Sequence, residues 1–208
     1  MAGTAEVDVP LGNDGVPGVL TLPPHARGVI VFADGTAAGN AAVDKALIEA
    51  RFGTLLAGLV AREERRLELR RSADRVTGAI DWLTGAALIE DLPPSLAGLP
   101  VGCFGSGTGA AAALVAAAER PDRIVAVVAC GGRLDLAGPA LRRVTAPTLL
   151  IAGGLDGEAL RLDREAQAEL ACESRLEMVP GAGRLFDEPG APERVSALAR
   201  DWFLAHIG

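Results

Sequence analysis

The chain has 208 residues, half of them apolar, with 3% aromatic residues, no Tyr and a formal net charge of -7. One sizeable core fits this length and two do not, so residues 1–208 read as a single domain with an interior of Ala, Leu and Val. The acidic balance excludes nucleic acid and anionic membrane as expected partners, because both select basic patches.

In chain order, Glu6-Val7-Asp8-Val9 alternates, Gly12-Asn13-Asp14-Gly15 turns and Gly18 to Leu22 returns, which predicts a β-hairpin. Pro23-Pro24 breaks the chain. Strands are then expected at Val29–Phe32, Thr54–Val60, Val101–Phe104, Ile124–Ala129, Thr148–Ala152 and Arg175–Val179. Helices are expected at Ala42–Arg51, from about Arg62 to Leu83, at Gly109–Arg120, near Leu136–Arg143, at Glu158–Leu170 and at Pro192–Ile207. Continuous Val/Ile/Leu runs mark strands buried on both faces. Strand–helix alternation with short connections marks a doubly wound, mostly parallel sheet with helices on both sides. The charges from Glu63 to Arg71 read as a solvated helix face with ion pairs one turn apart.

No basic, apolar leader is read at the N-terminus, and no apolar run reaches bilayer length. Three cysteines, Cys103, Cys130 and Cys172, without a C-x-x-C pair, fit reduced thiols in a cytoplasm. Cys103 and Cys130 fall in apolar runs and read as small buried hydrophobes. His25 falls in a loop and His206 near a helix C-terminus, so no zinc site is expected, and no cofactor. Trp82 and Trp202 sit at apolar helical spacing and read as core.

The richest stretch is Gly102-Cys103-Phe104-Gly105-Ser106-Gly107-Thr108-Gly109-Ala110, between a strand and an Ala-rich helix. The pattern G-x-S-x-G at such a junction is a sharp turn that presents a nucleophilic serine. Here Gly105 and Gly109 keep the outer positions, while the central one is Gly107. Ser106 stands one residue early, flanked at motif spacing by Phe104 and Thr108. Thr108 reads as a cap or first-turn residue of its helix.

With these residues the chain resembles the small dienelactone hydrolase-like α/β-hydrolases, over nearly its whole length. Leu99–Gly102 leads into the elbow, Pro147–Asp156 looks like the strand and loop that carry the family's acid, and Val179–Phe186 looks like the loop that carries its histidine. The resemblance implies an α/β-hydrolase fold without a large lid domain. It puts the nucleophile position on Gly107, the acid on Asp156 and the histidine position on Arg184. Asp34-Gly35 follows the first parallel strand, where relatives often read His-Gly and help form the oxyanion hole.

Each departure has a chemical cost. Glycine has no attacking atom, and arginine stays protonated and cannot act as a base. A negative Asp34 would repel a developing alkoxide. Loss of a triad member costs about 10⁴- to 10⁶-fold in rate, so serine-type ester hydrolysis is expected to be absent.

Four roles stay open. A repurposed small-molecule pocket would hold an anionic group between the helix N-terminus after Gly107 and Arg184, lined by Asp34, Gly35, Ser106, Gly107 and Thr108, with Asp156 orienting Arg184. A non-hydrolytic cyclase, isomerase or lyase would use Asp34 as acid or base on an apolar metabolite, with Asp156 and Arg184 beside it. A weak hydrolase would use Ser106. A pseudoenzyme would serve as a partner or a homodimer. Gly105-x-Gly107-x-x-Ala110 also mimics a dinucleotide fingerprint, but the next strand lacks the acid that would hold a ribose. Arg133, after Gly131-Gly132, stands at the same sheet edge and reads as either a pocket residue or a surface ion pair.

Overall fold

The computed structural model describes residues 4–11, 16–33, 38–57, 69–78, 96 and 98–207. Strands β1 (Ala5–Leu11) and β2 (Val16–Leu22) form the expected hairpin, from Ala5 opposite Leu22 to Leu11 opposite Val16. The other strands are β3 (Val29–Phe32), β4 (Gly53–Ala57), β5 (Val101–Gly107), β6 (Ile124–Gly132), β7 (Thr148–Gly153) and β8 (Ser174–Val179). One sheet of eight results, in the order β1-β2-β4-β3-β5-β6-β7-β8. From β4 through β8 all neighbours are parallel, while β2 joins β4 antiparallel.

The helices are α1 (Ala38–Glu49), α2 (69–78), α3 (Thr108–Glu119), α4 (Gly157–Glu169) and α5 (Ala191–Ile207). They split between the two faces, as buried parallel strands require. On one face Ala73 and Val76 of α2, the alanines of α3 and Ala166 of α4 meet Val31, Cys103, Val127 and Leu150. On the other, Val43 and Leu47 of α1 and Val195, Trp202 and Phe203 of α5 meet Phe32, Phe104, Val128 and Ile151. Truncating a fully buried Leu here costs about 2–5 kcal/mol, the transfer and cavity terms together. Ala110 to Ala113 of α3 are wholly buried. Their small side chains let α3 lie between β5, β6 and the segment Leu134–Arg143.

The observed elements refine the expected ones. Helix α1 starts four residues earlier than Ala42, because Gly39 falls in the first turn, where a glycine is tolerated. Strand β6 runs on through Cys130, Gly131 and Gly132, because Gly132 pairs with Gly107. The segment Leu134–Arg143 is 3-10 rather than α, broken at Gly138 (φ 50°, ψ -129°) before Pro139, which has no N–H to donate. Of the charged helix only 69–78 lies among the described residues. There Arg70 meets Asp74 one turn on (3.1 Å) and also Glu119 of α3 (2.7 Å). Trp202 is buried, and Trp82 lies outside the described residues. Among the described residues no helix is long and apolar enough to cross a membrane.

Candidate functional site

The end of β5 turns into α3 through Gly107, whose φ of 57° and ψ of -121° are a conformation that side chains rarely adopt. A Cβ built on Gly107 would meet nothing within 4 Å, so the apex opens to solvent. The turn closes because two flanking positions carry no side chain. A Cβ on Gly105 would stand 2.2 Å from the Gly109 carbonyl oxygen, and one on Gly132 would stand 2.1 Å from the Gly107 carbonyl oxygen. This is the elbow geometry that the motif implies, with Gly107 at its apex.

Two loops carry the remaining site residues, one bringing Arg184 to the apex and the other setting Asp156 beside it. After β8 the chain turns through Gly181 and packs Phe186 and the Arg184 carbonyl against Gly131, where a Cβ would lie 2.7 Å from the Phe186 ring. After β7, Asp156 caps α4: its Oδ1 accepts the Ala159 amide at 3.0 Å. Its other oxygen, Oδ2, lies 3.6 Å from Arg184 Nε. The ion pair read from the sequence is thus present, but Asp156 divides its carboxylate between a helix cap and the guanidinium. Arg184 keeps 55% of its side chain exposed, so the pair is screened and contributes at most about 1 kcal/mol to stability.

Gly107, Thr108, Gly132, Arg133, Leu136 and Arg184 line a cleft of about 180 Å³. Thr108 is the first residue of α3 and Gly107 its cap, with no side chain on the helix N-terminus. The first amides of α3 therefore lack helical partners and carry the positive end of its dipole. Arg133 shares both readings: it lines the cleft and holds Asp135 through two 2.7 Å hydrogen bonds. Those bonds keep the Asp135 carboxyl below its usual range.

Ser106 is not part of this lining. Its hydroxyl donates to Oδ1 of Asn40 on α1 at 3.0 Å. A nucleophile needs an adjacent base, and this serine has an amide oxygen instead. Asp34 and Gly35 lie outside the described residues. The structure thus brings together Gly107, Thr108 and Arg184, with Asp156 behind Arg184, and sets Ser106 apart.

Asp163 on α4, seven residues past Asp156, escaped the sequence reading. It is 1% exposed, and neither carboxyl oxygen has a hydrogen-bond partner among the described residues. Burial first, and the Asp156 charge second, push its pKa up to about 7. Burial, with Asp163 adding to it, also holds the Cys130 thiol well above the usual thiol range. Cys103 is buried and raised in the same way, so both thiols are inert packing groups. His25 is exposed, and His206 stays near the end of α5, its Nδ1 2.9 Å from the Trp202 carbonyl oxygen. Among the described residues no cluster of three His, Cys, Asp or Glu is placed to hold a metal.

No protein-family model matches the chain. A dienelactone hydrolase from Anabaena variabilis is 39% identical and superposes with a TM-score of 0.85, over 99% of both chains. A CIB-like hydrolase from Thermoplasma acidophilum (17% identical, TM-score 0.72, 97% of this chain and 99% of that one) shares the fold. So does Est1E from Butyrivibrio proteoclasticus (14%, TM-score 0.72, 98% of each). A Mycobacterium tuberculosis protein, provisionally named a phosphoribosyl transferase, is 44% identical over 212 residues. That match takes in 97% of this chain but 46% of the relative, so the chain spans about half of that protein's length.

Proposed function

The chain belongs to the dienelactone hydrolase-like α/β-hydrolase family, and from that premise we propose that its site is a small-molecule pocket for an anionic group, without serine-type ester hydrolysis. One observation carries the reading: the elbow is built, and its apex is glycine. The strained turn, its close-packed flanking glycines and the open space above it are all retained, while the attacking atom is missing. No neighbour replaces it, since Ser106 donates to Asn40. No base replaces the histidine either, because Arg184 is a permanent cation.

The same groups suit an anion. Arg184 lines the cleft, as does Arg133 with its guanidinium held on Asp135, and Gly107 and Thr108 bring the N-terminus of α3 to the same space. A planar guanidinium binds carboxylate or phosphate through paired hydrogen bonds. Asp156 stands 3.6 Å from Arg184 Nε, too far for a hydrogen bond, so the half-exposed arm keeps its freedom to meet a ligand. Nucleic acid and membrane are not partners in this reading. The name of the M. tuberculosis relative belongs to a protein about twice as long, and it makes phosphorylated sugars a second anion class worth testing beside carboxylates.

Titration calorimetry with small carboxylates and sugar phosphates, on the wild type and on Arg184→Ala, tests the pocket. At least tenfold weaker binding by the variant is expected, which is about 1.4 kcal/mol. Equal affinities would remove the anion site. Covalent labelling of the wild type by a fluorophosphonate would remove the loss of hydrolysis.

A further inference from the structure

Strand β8 ends the sheet, and its two backbone edges can be told apart. The Thr148 amide donates to the Glu173 carbonyl and the Gly154 amide to the Val179 carbonyl, each at 2.9 Å. Along a parallel ladder every second residue addresses the same neighbour. Arg175 and Glu177, between those two points, therefore turn their N–H and C=O groups toward β7. Ser174, Leu176 and Met178 turn theirs outward, where no strand pairs with them among the described residues and the Gln167 side chain of α4 donates to the Ser174 carbonyl at 3.2 Å. Met178 is also a large apolar side chain left 48% exposed.

We propose that this edge is a two-fold interface for a second copy of the chain, with the two β8 strands antiparallel and Leu176 on the axis. In that register Ser174 of each copy stands opposite Met178 of the other, and Leu176 stands opposite itself. All three outward-facing residues then exchange both backbone hydrogen bonds, the Ser174 carbonyl trading its donor within the chain, Gln167 Nε2 at 3.2 Å, for the Met178 amide of the other copy, which merges two eight-stranded sheets into one. The alternate positions fall into the non-hydrogen-bonded pairs, where side chains come closest. There Arg175 of each copy meets Glu177 of the other.

The charges also select the register. A slip of two residues one way sets Arg175 against Arg175, and the other way sets Glu177 against Glu177. Both slips lose a backbone pair as well. Within one copy Arg175 already pairs with Glu177, and its side chain is 66% exposed. A guard against edge pairing is ordinarily a charge of one sign, which repels its own image. A plus–minus couple two residues apart is complementary to its own image under a two-fold axis, as an isologous contact requires. This argues for a second copy over an unrelated extended peptide, the other occupant that an open edge accepts.

Sedimentation velocity on the full chain, from about 1 to about 100 μM, tests the inference, with complex formation expected in that affinity range. A concentration-dependent dimer is expected for the wild type, weakened tenfold or more by Arg175→Glu. The swapped variant Arg175→Glu/Glu177→Arg restores the couple and is expected to restore the dimer. Hydrogen exchange on the wild type gives a readout independent of substitution: the Ser174, Leu176 and Met178 amides slow as the dimer forms. The proposal is overturned by a wild type that stays monomeric, by a dimer indifferent to Arg175→Glu, by a swap that fails to restore it, or by those three amides exchanging as in the monomer.

Discussion

Replacing Asp163 by asparagine removes a buried acid whose ionisation the fold resists. The folded pKa is raised from 3.8 to about 7, mainly by burial. The folded state therefore holds a proton that the unfolded chain releases, and stability falls as pH climbs from about 4 to about 7, then levels off. Each pKa unit corresponds to about 1.4 kcal/mol, so the full penalty above pH 7 is of order 4 kcal/mol. At about pH 5 roughly a third of it has been incurred, which leaves about 3 kcal/mol to be lost by about pH 8.5. For a chain of this size that is a fall in Tm of about 5–10 °C. An asparagine side chain at this position does not titrate, and it keeps nearly the same volume. Thermal melts followed by circular dichroism are expected to place the Asp163→Asn variant a little above the wild type at the lower pH, with the gap widening by about 5–10 °C at the upper one. Parallel pH profiles for the two proteins, or a variant melting below the wild type at the upper pH, would refute the reasoning.

Three further outcomes follow from the elbow. Gly105→Ala puts a methyl 2.2 Å from backbone that cannot yield, and a loss of at least about 1–3 kcal/mol in urea unfolding is expected from overpacking. Ser106→Ala removes one hydrogen bond to Asn40 and is expected to cost about 1 kcal/mol, with ligand affinity unchanged by calorimetry. Gly107→Ser has room for its side chain but takes on about 1–2 kcal/mol of backbone strain. Alone it is expected to leave p-nitrophenyl ester cleavage undetectable, while the pair Gly107→Ser/Arg184→His is expected to give turnover and fluorophosphonate labelling. A single Gly107→Ser variant as active as the pair would show that the Arg184 position has no part in activating the apex.

The sheet was legible because its strands are buried on both faces. Val29–Phe32 and Leu149–Ala152 are unbroken apolar runs, which a doubly covered sheet hides. The elbow was legible because the close approach of Gly105 to Gly109 demands glycine at a fixed spacing. Local sequence did not reveal what lies across the fold. The partner of Ser106 is Asn40, 66 positions away, and nothing near Asn40 marks it. Asp163 sits among Arg161, Arg164 and Glu165, so it reads as one more solvated charge until the packing of α4 turns it inward. The ends of elements erred where glycine misleads. Gly131-Gly132 reads as loop, yet it continues β6, because only residues without side chains fit against the turn beside them.

The two sides of the cleft differ in how they can respond to a ligand. Its floor hangs from α3, whose alanines are sealed against β5, β6 and the 3-10 segment with no side-chain torsions to turn. Arg184, half in solvent, has a full set of rotamers. In the proposed pocket a bound molecule would then have to fit an unyielding base in shape while its charge is met by a movable arm. Congeners altered at the deep end would be rejected outright, and those altered at the rim would be tolerated.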